Sequence, residues 1–196
     1  MTEEVVVRKR PIAAYVAIIV MSGAITAVIG AFGGVVFPFL APISSFYPAV
    51  AFIVSFGVWF GLWGVLGAGF LGPVIGTILT GTPAPLAVFI SGGDIVQSII
   101  PMLAFRWGKF NPELKTTRDW AGHILFNMII AQAAGATVGV ASLYAAGIFT
   151  AGILPVAWVG WFVGNVVVVG IVGTILMKVF SGYLKKTALY VQGLLH

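Results

Sequence analysis

The sequence predicts an all-α integral membrane protein, a six-transmembrane-helix bundle with both termini cytoplasmic, and two observations carry that expectation. Of its 196 residues, 60% are hydrophobic and only 8% charged, whereas about a quarter of a soluble domain is charged. The 10 Lys and Arg residues fall into three tight groups, each bordering apolar sequence. They are Arg8, Lys9 and Arg10; Arg106, Lys109, Lys115 and Arg118; and Lys178, Lys185 and Lys186. Positive charge collects on the cytoplasmic side, so with all three groups there the stretches 11–105 and 119–177 each cross an even number of times. Spans of about 20 residues allow four crossings in the first stretch and two in the second. The chain 1–196 then forms a single membrane domain with spans near 11–33, 47–61, 63–80, 84–106, 120–147 and 156–180. Multi-pass insertion in the plasma membrane is the expected location.

The first span opens on Pro11, where a missing N–H costs a helix nothing. MTEEVVVRKRP leads into an apolar stretch of full spanning length without a small-residue cleavage site, so it reads as a first span and not a removable signal. Ala13, Ala17, Gly23, Ala27, Gly30 and Gly34 supply a small-residue track for close approach by another helix. Next, VVFPFLAPISSFYP carries Pro38, Pro42 and Pro48 and is expected to be an irregular outer segment. Residues 48–80 hold two short, closely apposed helices with a turn near Gly61 to Gly64. Gly57, Gly61, Gly64, Gly67, Gly69, Gly72 and Gly76 act there as packing residues. TGTPAP makes the following outer turn.

The fourth span, APLAVFISGGDIVQSIIPMLAFR, contains Asp94, the only acidic residue between Glu4 and Glu113. At 1.5 Å per helical residue Asp94 lies roughly 18 Å from Arg106, near mid-membrane if Arg106 marks an interface. Ser91, Asp94, Gln97, Ser98 and Pro101 share one helical face. A carboxylate at a helix centre is unfavourable by about 2.5–3.5 kcal/mol, so it needs a partner or a water-filled cavity. Two readings stay open: a ligand or proton site, or a group that only joins helices.

RWGKFNPELKTTRDW is the one hydrophilic interior segment, cytoplasmic by charge and flanked by Trp107 and Trp120 at headgroup level. In the fifth span His123 and Asn127 share a face, and Gln132 lies off it. The GILP turn, ending at Pro155, leads to the last span, where Trp158, Trp161 and Asn165 align at i, i+3 and i+7. Those rings are placed to stack on a flat ligand, or equally to form an interface belt with an interhelical Asn.

Several chemistries are excluded by pattern. No GxxxxGK[ST] phosphate loop, HExxH or GxSxG occurs, and with no cysteine there is no disulfide or thiolate metal site. GVLGAGFLG lacks the strand and soluble βαβ unit of a dinucleotide fingerprint. The basic groups border membrane spans, so they are topology signals and not a nucleic-acid surface. No catalytic activity, metal or cofactor is expected.

Taken across FGLWGVLGAGFLGPVIGTIL, SGGDIVQS and GNVVVVGIVG, nearly the whole chain resembles the substrate-binding S components of energy-coupling-factor vitamin transporters. The resemblance implies a substrate-capture subunit for a vitamin-like micronutrient, working with a transmembrane coupling subunit and two ATPases. It also implies that Ala13 and Ala17 form an AxxxA docking motif for the coupling subunit. On this reading Asp94 binds a ligand cation or hydroxyl, Gln97, Asn127 and Asn165 hydrogen-bond the small molecule, and Trp158 or Trp161 stacks on it. WFGLWG, IIPMLAFR and the Trp-rich start of the last span are also similar to MASE-type bacterial membrane sensor domains, which usually have eight spans. A sensor or signal-input module is therefore an alternative, and a small proton-coupled permease using Asp94 is another.

Overall fold

The structure, a computed structural model, describes residues 11–36, 38–40, 43–44 and 46–195. Helix α1 spans Ile12–Val36. A short hairpin follows, β1 (Pro38–Leu40) pairing antiparallel with β2 (Ile43–Ser44). Then come α2 (Ala49–Phe60), α3 (Leu62–Leu79), α4 (Ala84–Trp107), α5 (Thr117–Ala145) and α6 (Ala151–Leu184). Apart from the hairpin every described element is helical. Five of these helices are long and apolar enough to cross a membrane. The exception, α2, has 12 residues, about 18 Å of helix against a hydrocarbon core of about 30 Å.

What α2 lacks in length it makes up in burial. Every residue except Phe52 is buried, as a helix apolar on all sides requires. Val50, Val54, Phe56, Trp59 and Phe60 form the main core with Ile18 of α1 and Met177 of α6. Trp59 donates to Ser181 Oγ at 2.8 Å, and that hydroxyl donates to Pro112 O at 3.0 Å, tying α2 to α6 and to the loop before α5.

The turn expected between Gly61 and Gly64 is one residue, Gly61, at φ +64°. This left-handed conformation is strained for a residue with a Cβ. It breaks the helix sharply enough that Leu62 N–H bonds Leu194 O at 2.9 Å instead of the preceding turn. Along α3, two glycines back closely onto α1. A Cβ on Gly72 would sit 1.8 Å from Thr26 Oγ1, and one on Gly67 2.1 Å from Ser22 Oγ.

Several expectations need correction. The small-residue track on α1 is two faces: Gly23 and Ala27 are buried against α3, while Ala13 and Ala17 are exposed. The six residues from Ala17 to Gly23 turn the helix about 120° off the line of the first pair. The proline-rich segment, expected to be irregular, includes the β1–β2 pair. The turn placed at GILP comes earlier, around Gly147 at φ +72°, and Pro155 lies in the first turn of the α-helical part of α6. Helix α5 starts at Thr117 because Thr116 and Asp119 form a capping box, which satisfies two terminal N–H groups reciprocally.

The second and third basic groups meet at one end of the bundle. Glu113 bonds Lys115 at 2.8 Å and Lys185 at 2.9 Å, and Lys178 donates to Leu114 O at 3.3 Å. The first group, Arg8, Lys9 and Arg10, lies outside the described residues, as does Pro42.

Two predictions follow from this packing. Gly72→Ala should lower stability by about 1–3 kcal/mol through overpacking against Thr26, measured by unfolding in detergent, whereas Gly152→Ala, with nothing within 4 Å of the added carbon, should leave it unchanged. Lys115 and Lys185 hold the Glu113 carboxyl below its ordinary range, so their stabilisation is full at neutral pH and is lost as falling pH protonates the carboxyl. Glu113→Gln should therefore flatten the acid limb of a Tm-against-pH profile.

Candidate functional site

The polar face of α4 turns inward. Ser91, Asp94, Gln97, Ser98 and Pro101 are all buried. Ser91 satisfies itself by donating to Ala87 O at 2.7 Å, and Ser98 donates across to Ile53 O of α2 at 3.0 Å. Glycines make that crossing possible: a Cβ on Gly57 or Gly69 would stand 2.5 or 2.9 Å from the Ser98 side chain. Gly93 likewise backs onto Gly135 and Gly139 of α5.

From Gln97 a chain of buried amides runs through the bundle. Gln97 Nε2 donates to Gln132 Oε1 at 2.8 Å, and Gln132 Nε2 donates to Asn127 O at 2.8 Å. Asn127 Nδ2 lies 2.9 Å from His123 Nδ1, and His123 Nε2 lies 2.9 Å from Thr174 Oγ1 on α6. A neutral imidazole with its hydrogen on Nε2 satisfies both of its contacts. Gly135 leaves the room for Gln97, since a Cβ there would fall 2.3 Å from Gln97 Cγ.

This chain corrects the expectation that Gln132 lies off the His123–Asn127 face. Residues His123–Ile130 are π-helical, with an i to i+5 repeat in place of i to i+4. Wider turns bring Gln132, five residues after Asn127, back over it. Val65–Leu71 of α3 and Val169–Gly173 of α6 are π-helical as well. Such bulges recur at functional sites.

Five buried side-chain atoms have no hydrogen-bond partner among the described residues: Ser55 Oγ, Asp94 Oδ1, Gln97 Oε1, Asn127 Oδ1 and Asn165 Nδ2. They come from α2, α4, α5 and α6, which pack on one another in a ring. Three are acceptors, one is a donor and one is a hydroxyl able to do either. Asp94 is 8% exposed and has no Lys, Arg or His within ion-pair distance among the described residues. The Tyr47 phenol lies within electrostatic range of Asp94, and its Oη sits over Gly30.

The tryptophans are placed differently. Trp158 donates to Thr137 Oγ1 at 2.9 Å and stacks on Phe162 with centroids 5.1 Å apart. Trp161 lies against Gly139, where a Cβ would meet its ring at 2.4 Å. Both pack on the satellite core of Ile90, Val140, Leu143, Phe149 and Ala157, while Asn165, one turn on from Trp161, is 2% exposed.

Ser55, Tyr47 and Thr174 went unremarked in the sequence. Ser55 had a signal, as the one hydroxyl in AVAFIVSFGVWF; the other two look like ordinary residues of a proline-rich loop and an apolar span. Among the described residues no three of His, Asp and Glu stand close enough to hold a metal ion. Comparisons with protein-family models, curated proteins and solved structures find no match to this chain.

The two kinds of amide should respond oppositely to removal. Gln132→Leu strands Gln97 Nε2 and should destabilise the protein by about 1–3 kcal/mol. Asn165→Leu deletes a donor that is already unpaired and should leave unfolding in detergent unchanged or delayed, in the absence of added small molecules.

Proposed function

We propose that this protein is a membrane-embedded capture subunit that binds a small polar molecule from the outer side. The observation that supports this most is the set of five unpaired polar atoms on the inward faces of four helices. A buried polar atom left unpaired costs about 1–3 kcal/mol, and more where no water reaches it. A donor-rich molecule would offset that by donating to Asp94, Gln97 and Asn127 and accepting from Asn165.

In the fuller form of this proposal the protein is the S component of an ATP-driven vitamin-like importer in the plasma membrane. Helix α2 supplies the sixth crossing, and both termini lie in the cytoplasm. Ala13 and Ala17, exposed on α1, dock a transmembrane coupling subunit whose ATPases drive transport. Trp158 and Trp161 wall the site from α6, and stacking on ligand would require Trp158 to leave Phe162.

Gentle purification followed by mass spectrometry should find a bound small molecule, and a vitamin panel should raise the Tm of the purified chain. Asp94→Asn should then weaken binding roughly tenfold to hundredfold, the value of a hydrogen bond to a charged group. No copurifying molecule together with no thermal shift across the panel would overturn the proposal. A second reading, a proton-coupled permease, is favoured by the lack of any cation within ion-pair distance of Asp94 among the described residues. It requires pH-driven uptake by the chain alone in liposomes, abolished in Asp94→Asn.

A further inference from the structure

At the basic end of the bundle, where α4 stops and the segment after α6 folds back, lies a cavity of about 350 Å³. Arg106, Lys109 and Lys185 line it, with Asn111 beside them and Phe105 and Phe110 in its wall. No carboxylate lines it. Glu113 stands outside and divides its charge between Lys185 and Lys115.

Among the described residues, two of the three cations have no carboxylate partner. Arg106 donates to Val58 O at 3.1 Å, Met102 O at 3.2 Å, Val191 O at 2.9 Å and also to Gly193 O. These acceptors are neutral: they satisfy N–H groups and leave the full charge in place, in a half-buried position where an unpaired ion is expensive. Among the described residues no carboxylate lies within ion-pair distance of Arg106 or Lys109.

Lys109 is also held in an unfavourable backbone conformation. Its φ is +50°, and Phe110 N–H closes a bond to Phe105 O at 3.1 Å, the wrap that ends a helix with a left-handed residue usually filled by glycine. A lysine there gains nothing for the turn. What it adds is an ammonium group at the mouth of the cavity.

We propose that this cavity binds a phosphate group, with Arg106 and Lys109 as its counter-charges and Lys185 as a further donor. A phosphate monoester or diester brings the concentrated negative charge and multiple acceptor oxygens that suit three cations lining one cavity. Two sources carry that chemistry, an anionic phospholipid headgroup and a soluble phosphate compound. Basic pockets between helix ends at a membrane face are suited to the first.

The test uses the full chain in phosphatidylcholine nanodiscs, alone, with phosphatidylglycerol mixed in, or with inorganic pyrophosphate added. A rise in Tm with phosphatidylglycerol but not pyrophosphate identifies a headgroup site, and a saturable rise with pyrophosphate a soluble one. Lys109→Gly separates pocket from fold, because glycine suits the turn: its Tm without anion should equal or exceed that of the parent, while anion affinity falls roughly fivefold, the value of one basic side chain at a membrane surface. Lys186→Gln, at an exposed lysine outside the cavity, should keep parental affinity. The proposal is overturned if neither probe raises Tm, if Lys109→Gly binds as the parent does, or if Lys186→Gln loses as much as Lys109→Gly.

Discussion

Hydrocarbon offers no hydrogen bonds, and that constraint organises this protein from end to end. Each polar atom inside the bundle must find a partner within the protein or in what the protein binds. Most do. Ser22 and Thr26 return their hydroxyls to α1 carbonyls at 2.7 and 2.8 Å, and the chain from Gln97 to Thr174 joins α4, α5 and α6 through side-chain contacts of 2.8–2.9 Å. Against that background the unpaired atoms on α2, α4, α5 and α6 stand apart. Gln97 and Asn127 each keep one amide atom unpaired, and Asp94 Oδ1 and Asn165 Nδ2 find no partner among the described residues, where an apolar side chain of similar volume would pack as well. The proposed recognition of a polar molecule rests on these atoms.

Close backbone approach is the other half of the design. Lipid tails are as apolar as leucine, so helices associate through contact and not by escaping water. Glycine supplies the contact where α1 meets α3, where α4 passes between α2 and α3, and where Gly93 meets Gly135 and Gly139. The same device serves the interior, because Gly135 and Gly139 accommodate Gln97 and Trp161. Removing side chains from α5 thus brings in large groups from its neighbours.

The short helix α2 shows how one local break propagates. Gly61 turns the chain so sharply that the end of α2 and the start of α3 lose their ordinary partners. The Arg106 side chain donates to the Val58 carbonyl and Leu194 O accepts from Leu62 N–H. A single arginine therefore closes the helix end, secures the C-terminal segment and borders the basic cavity. A positive group near the last turn of α2 also suits the helix dipole.

Much of this was legible in the sequence. Composition and the spacing of lysines and arginines fix a multi-pass helical protein, because an apolar solvent permits few alternatives. Helical periodicity also fixed the inward face of α4, since Ser91, Asp94, Gln97 and Ser98 fall on one stripe at 3.6 residues per turn. That rule fails where the repeat changes: π-helical turns through His123–Ile130 carry Gln132 onto the amide chain, and residue identity alone does not announce them. Partners distant in sequence were equally hidden. Nothing in the order of residues says that Thr174 meets His123, that Trp158 spends its N–H on Thr137, or that a helix-ending Lys109 shares a cavity with Lys185. Local pattern determines which side of each helix is polar; only packing in three dimensions decides which polar groups find one another and which are left unpaired.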